Sequence, residues 1–374
     1  MPQNEKYWNP FRLIPVKEKV ERSTPWTDER FRGHSGRITC TIENLTPLFI
    51  GAQSSGTYHP SQLRENKRVI PGSSLKGMLR SLAEIVGGGC FVVSNDKDTE
   101  KIPKSPVPFG MERCRQINQL CIACRMFGAM ESGHNARVHK GKVSIGDALI
   151  RETNMRIKPM QVLLSNNGVR HEPFYRSPVT RKLDGRARKL YFHQPERNET
   201  LRPIPENIQK HSWKIDALLP GHHFDFEVQF TSLTAPELSL LLYILCLEEN
   251  VSVAIEEGKE KKLEHKGPMR HKIGNAKPFG LGSCHIHVTK LTYLSPPAQR
   301  FATMASPCDR DLDGDSLRRE IEQKIMPHVQ DQSPTLQMLR KMMVWDETDK
   351  RDFHYPEYYW FKNTANIGVP LKNL

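Results

Sequence analysis

The 374-residue chain contains no run of about 18 apolar residues, which argues against a membrane-spanning helix. Its opening residues, Met1 to Trp8, lack the apolar stretch of a secretory signal, so the cytoplasm is the expected compartment. Acid is in short supply. Asp and Glu number 42 against 55 Lys and Arg, a formal charge of +13 that points to a polyanionic partner. The cations are spread along the chain with no basic tail, which favours a folded binding surface over a disordered arm. Eight cysteines in a cytosolic chain are not expected to form a disulfide framework. Hydrophobic content of 37% with 26% charged residues fits a globular protein, long enough for two or three average domains or one core with large insertions.

What is present begins with residues 69–86, Val-Ile-Pro-Gly-Ser-Ser-Leu-Lys-Gly-Met-Leu-Arg-Ser-Leu-Ala-Glu-Ile-Val. Pro71 and Gly72 form a turn, and Ser73 or Ser74 is expected to cap the helix that follows, leaving backbone N–H groups pointing outward. Leu75, Met78, Leu79, Leu82, Ile85 and Val86 make an apolar stripe at helical spacing. Lys76 and Arg80 lie four apart on the polar side, with Glu84 one turn on. An open helix N-terminus beside two cations suits a phosphate. Taken alone, the stretch also reads as an amphipathic helix with a solvated basic face.

Residues 1–36 lack periodicity and read as an irregular arm. Arg37 to Ile42 alternates as a half-buried strand, and Leu45 to Gly51 continues it, broken at Pro47. Gly87, Gly88 and Gly89 stop the helix, and residues 90–140 look like an insertion without a long periodic segment. Lys142 to Ala148 is expected to be a strand. Residues 151–221 mix Arg, Lys and Pro with aromatics and are expected to project as hairpins or loops. Cations beside rings can hold phosphates and stack bases together, although the same composition describes a solvated insertion. Phe224 to Phe230 alternates cleanly, and Thr234-Ala235-Pro236-Glu237 is a capping box opening an apolar helix from Leu238 to Leu247. Gly267 to Gly282 is a basic glycine loop, and residues 284–294 return as a strand.

Without the insertions the order is strand, helix, strand, strand, helix, strand. That is the ferredoxin-like plan of an antiparallel sheet with two helices on one face. The expected class is therefore α+β, with an arm (1–36), a core (37–299) carrying the insertion 90–140 and the projecting region 151–221, and a helical extension (300–374). The closing run from Phe353 to Phe361 holds so many rings that packing is expected of it.

Cys114, Cys121 and Cys124 lie within eleven residues, and Cys121-x2-Cys124 has the spacing of a zinc knuckle. Tetrahedral thiolate coordination needs four ligands; Cys90 is the best fourth candidate, with His134 or His139 as substitutes. Free thiols or a redox pair also fit a lone CxxC. Three close cysteines in a coreless segment favour structural zinc, which would supply stability that burial cannot. Cys40, Cys246, Cys284 and Cys308 read as ordinary buried thiols. Asp309, Asp311, Asp313, Gly314 and Glu320 match the spacing of a calcium EF-hand loop. Pro296, Pro297 and Pro307 argue against an entering helix, so the competing expectation is an acid cluster opening a helix from Asp315 to Met326.

Four motifs stand in one order: Leu45-Thr46-Pro47-Leu48-Phe49-Ile50-Gly51, Pro71-Gly72-Ser73-Ser74-Leu75-Lys76-Gly77, Cys121-Ile122-Ala123-Cys124-Arg125-Met126-Phe127-Gly128 and Lys277-Pro278-Phe279-Gly280-Leu281-Gly282. The set resembles the RAMP superfamily of CRISPR-associated proteins, and within it a backbone subunit of a type III effector. Arg186 to His193 and Tyr355 to Leu371 add a looser likeness to type III-D members. The resemblance spans residues 30–295. It implies a ferredoxin-like (RRM-like) palm, an insertion finger and a thumb, placed at 154–200 within 151–221, that wedges between bases and kinks the guide–target duplex. It also implies a complex with crRNA guide, target RNA and other effector subunits. On this resemblance Ser73, Ser74, Lys76, Arg80, Arg176, Arg181, Lys182, Arg186, Arg188, Lys277, Gly280 and Gly282 hold RNA. Glycine lets the backbone approach phosphate without a Cβ clash.

Cleaving members of the family carry an Asp in the loop after the first strand. Here Gly51 to Asn66 contains no Asp; Glu65 is its only acid and His59 its only imidazole. A binding subunit that does not itself cleave is expected. The alternative is a metal- or His-dependent endoribonuclease acting on guide precursor or target RNA, with His59 beside Tyr58 as acid or base. A single His without a visible partner is as readily a loop residue lying against RNA.

Overall fold

A computed structural model describes residues 8–16, 19–27, 29–51, 58–64, 66–91, 107, 110–131, 135–163, 171–175, 187–196, 201, 204, 206, 209, 212–257, 261–300, 302, 309–356 and 359–369. The first elements are β1 (Phe11–Pro15), β2 (His34–Asn44), β3 (Tyr58–His59), β4 (Leu63–Arg64), β5 (Lys67–Ile70) and α1 (Gly72–Val86). The cysteine-bearing insertion adds α2 (Ile122–Phe127), β6 (Ala129–Met130) and β7 (Val138–His139). Next come β8 (Val143–Ile145), β9 (Ala148–Ile150), β10 (Ile157–Val162), β11 (Ala187–Tyr191), β12 (Trp213–Leu218), β13 (His223–Leu233) and α3 (Ala235–Cys246). Then follow β14 (Val251–Glu257), β15 (Lys261–Gly267), β16 (His271–Lys272), β17 (Ser283–Tyr293), α4 (Pro297–Arg300), β18 (Arg310–Leu312), α5 (Gly314–Val329) and α6 (Pro334–Met343).

The alternation read at Arg37 to Ile42 and Phe224 to Phe230 builds the centre of a mixed α/β structure with a long antiparallel sheet. Its order is β16-β17-β2-β13-β9-β5-β4. Ile42 lies opposite both Phe224 and Ile286, so three strands turn apolar side chains to one face. The helices α1 and α3 touch each other and close that face. Leu75, Leu79, Leu82 and Ile85 of α1 join Leu238, Leu241 and Leu245 of α3 in a single core. The capping box at Thr234 forms in both directions, with Glu237 also held by Lys142 and by Arg125 at 2.8 Å. The other face of the sheet carries Arg37, Thr39, Glu43, His285 and His287, none of them buried.

Several expectations are revised. Leu45 to Gly51 is not strand: Asn44 donates to the Thr46, Leu218 and Leu219 carbonyls, and the chain turns there. Lys142 to Ala148 is two short strands, because Gly146 and Asp147 break the ladder where Gly72 packs against the Ile145 carbonyl. The arm is not irregular throughout, since β1 pairs with β11 and the Trp8 N–H donates to the Asp352 carbonyl at 2.8 Å. Residues 151–221 contribute β10 and β12, which with β3 cover a small second core of Phe49, Met160, Val162, Ile215 and Leu281. Residues 251–257 and 261–267 pair as β14 and β15, which the sequence reading did not anticipate.

The EF-hand spacing is not a calcium loop. Residues 310–312 are a strand, Asp311 pairs with Lys290 at 2.7 Å, and Glu320 takes Tyr293 and Arg310. Asp313 instead forms a capping box with Ser316 at the start of α5, which is the competing expectation. Arg340 of α6 donates to the His328 and Val329 carbonyls at the end of α5 and pairs with Glu248 at 3.0 Å. The aromatic run packs as expected where it is described: Phe353 stacks on Phe192 at 4.9 Å, and Trp360 lies 5.8 Å from Phe174. No described helix is long and apolar enough to cross a membrane.

Candidate functional site

Four cysteines from three segments meet beneath α1. Cys90 follows the Gly87–Gly89 turn, Cys114 comes from the insertion loop, Cys121 is the N-cap of α2, and Cys124 lies in its first turn. All four are buried and free, and their sulfurs lie within 4.8 Å of one another. The Cys90 and Cys124 sulfurs are 3.6 Å apart, far beyond a disulfide bond of about 2.05 Å. A tetrahedral ion at a Zn–S distance of about 2.3 Å sets its sulfurs about 3.8 Å apart, so the set fits a single metal. His139 is engaged elsewhere, its Nε2–H donating to the Arg125 carbonyl at 3.0 Å, and Cys90 completes the set. His134 and Cys308 lie outside the described residues.

The surroundings suit thiolate. The Cys121 N–H donates to Cys114 Sγ at 3.2 Å, and the Cys90 N–H donates to Cys121 Sγ at 3.5 Å. Arg80 donates to Cys124 Sγ at 3.4 Å, to the Gly128 carbonyl at 3.0 Å and to Glu84 at 3.0 Å. Arg188 pairs with Glu84 at 2.7 Å and donates to the Cys90 carbonyl at 2.8 Å. Four thiolates around a divalent ion carry two net negative charges, and two guanidiniums bracket them. Burial works against the Arg80 charge, but Cys124 and Glu84 outweigh it and raise its pKa.

Arg80 and Arg188, which the resemblance assigns to RNA, thus face the cysteine cluster. The start of α1 also differs. Its N-cap is Pro71, with no side-chain hydrogen bond, so neither Ser73 nor Ser74 caps the helix. The Gly72 N–H donates to Asp147 Oδ1 at 2.8 Å, and Asp147 also takes Arg64. That backbone bond, with Arg64, lowers the Asp147 pKa. Ser73 is exposed, while Ser74 and Lys76 are half-buried; burial and Arg80 lower the Lys76 pKa.

At the glycine turn, Lys277–Phe279 is one 3-10 turn ended by Gly280 at φ 91°. Gly282 at φ 82° brings its backbone against the Ile273 carbonyl, where a Cβ would overlap the oxygen. Its N–H donates to the Pro47 carbonyl at 2.9 Å. The Lys277 ammonium donates to the Gly274 carbonyl. Lys272, which the sequence reading did not single out, donates to Ser283 Oγ at 3.2 Å and the Gly280 carbonyl at 3.4 Å. It has no carboxylate partner among the described residues. Burial, then Lys277, lowers its pKa to about 7.

The glycine turn hydrogen-bonds the segment that leads into α1. The Asn275 N–H donates to the Phe49 carbonyl at 3.0 Å, the Gln62 N–H to Ile50 at 2.6 Å, and the Val69 N–H to Gln62 at 3.2 Å. In that segment His59 has its backbone in β3, and Glu65 lies outside the described residues. Arg176, Arg181, Lys182 and Arg186 also lie outside them. The described rings and cations nearby are packed inward. The Lys189 ammonium sits 3.9 Å from the Phe11 ring centre and donates to Tyr175 at 3.1 Å, and burial lowers its pKa to about 8.

A family model for the RAMP superfamily matches residues 41–267. No curated protein matches the chain.

Proposed function

The chain belongs to the RAMP superfamily, a CRISPR-related RNA-binding family, and from that premise we propose that it is a crRNA-binding backbone subunit of a type III effector complex. The order β17-β2-β13-β9, with α1 and α3 together on one face, supports a ferredoxin-like palm. Zinc in the four-cysteine set would tie the insertion to α1 and supply no redox step, only a rigid tetrahedral clip. Cys90, Cys114, Cys121 and Cys124 would hold it, and Arg80 would balance the thiolate charge.

The observation that carries the RNA reading is the connection just described. The glycine turn hydrogen-bonds the Pro47 and Phe49 carbonyls, and the Ile50–Gln62 and Gln62–Val69 bonds tie that stretch to the strand that leads directly into α1. Ser73, Ser74, Lys76, Lys277, Gly280 and Gly282 would meet the guide backbone there, with Arg176, Arg181, Lys182 and Arg186 reaching it from the thumb region. Arg80 and Arg188 would act through the cysteine cluster. Guide, target and other effector subunits are the partners of this reading, and the subunit binds without cleaving.

The test is binding of unrelated guide-length RNAs across a salt series. Affinity should fall steeply with salt and vary little with sequence. Lys76→Ala should weaken every RNA to the same degree. Binding of one sequence, indifferent to salt, would make a specific regulator the better description. Cleavage of repeat RNA by the purified protein, lost in His59→Ala, would support the endoribonuclease instead.

A further inference from the structure

The open face of the main sheet carries a second group of metal-ligating side chains, remote in sequence from the cysteines. His285 and His287 alternate on β17, so both point to the same face, and their ring centres are 3.7 Å apart. Glu43 of β2 is the register partner of His285. Its carboxylate lies 3.7 Å from His287 Nε2. One donor atom from each of the three residues falls within 4.8 Å of the other two. We propose that Glu43, His285 and His287 form a binding site for a zinc-class divalent transition metal, separate from the four-cysteine set.

Chemistry and surroundings both favour an ion here. Two imidazoles and one carboxylate are a donor set for zinc and neighbouring first-row metals, and three protein ligands leave positions open. The site faces solvent: the His287 side chain is 46% exposed and Glu43 33%, against 16% for His285. Ligand-to-metal distances of about 2.0–2.2 Å require the three donors to close by about an ångström, within the reach of side-chain rotation on the exposed His287 and Glu43. A supporting shell is in place. Glu249 lies 3.4 Å from His285 Nε2 and is itself clamped by Arg270 through two hydrogen bonds at 3.0 and 3.1 Å. On the far side of Glu43, its β13 register partner His223 is engaged by Glu152 at 2.9 Å and leaves the Glu43 carboxylate to the β17 pair. Without a metal, His287 meets the Glu43 carboxylate only at 3.7 Å while His285 turns to Glu249; an ion bonded to Glu43, His285 and His287 would draw the two close imidazoles and the carboxylate together.

Cobalt(II) is the probe, added to full-length protein whose cysteine site already holds zinc. The expected result is one further equivalent of cobalt with ligand-field absorption and no thiolate charge-transfer band. Both His287→Ala and the near-isosteric Glu43→Gln should weaken that binding by more than about tenfold while leaving zinc content and thermal midpoint without cobalt unchanged. Absence of a second equivalent, or a second equivalent that survives both substitutions, would overturn the proposal. The readout does not involve RNA, so its outcome is independent of the guide-binding reading.

Discussion

At Arg80 one guanidinium serves a cysteine sulfur, a carboxylate and a carbonyl at once. Arg80→Ala should therefore lower metal affinity by about 10–100-fold, measured by competition with a chelator, while weakening RNA less than Lys76→Ala does. Helical spacing in the sequence shows which side of α1 Arg80 occupies. It cannot show that Cys124 and Gly128, more than forty positions later, come to rest on that side. His271 gives a second prediction at this scale. Its Nε2 meets the Ile244 carbonyl at 2.8 Å, its buried Nδ1 has no partner among the described residues, and burial lowers its pKa to about 4. The unfolded chain takes up this proton near pH 6.5 and the folded one only near pH 4. Stability from this group is complete above pH 6.5 and is lost as pH falls toward 4, by up to about 1.4 kcal/mol per pH unit. Denaturant midpoints at pH 7 and pH 5 should differ less in His271→Gln than in the native chain.

Among the elements, those defined by local chemistry were legible and those defined by distant partners were not. The capping box at Thr234 could be read from four residues, and both of its hydrogen bonds form. The strand β1 could not, because its partner β11 arrives from the other side of the core sequence and the five-residue segment has no alternation of its own. Pro71 replaces the serines as cap because Asp147, brought in by the β8–β9 break, already takes the first free N–H of the helix. The glycine turn yields a stability prediction. Gly282→Ala combines a left-handed φ with a Cβ placed on the Ile273 carbonyl, so unfolding free energy should drop by roughly 1–3 kcal/mol in a denaturant titration. Gly77, an exposed glycine of α1 with open space around it, should tolerate alanine and gain up to about 1 kcal/mol.

For the whole molecule, charge and cysteine spacing were the informative quantities. A +13 chain with its cations distributed needs a polyanion, and the RAMP match over residues 41–267 makes that polyanion RNA. Of the chain's cations, Arg80, Arg188 and Lys189 are packed against sulfur, carboxylate and rings. The cluster also binds the insertion to the core, with the Arg125–Glu237 pair joining α2 to α3. Zinc bound there would couple the two, so a chelator should lower the thermal midpoint of the entire protein in one transition; a separate early transition with the main one unmoved would show the insertion to be independent. The account's central claim is tested most directly by sequencing the RNA that co-purifies with the protein from cells carrying its CRISPR array. Repeat-derived guides with varied spacers are the predicted result, and a protein free of RNA, or one loaded with a single unrelated transcript, would contradict it.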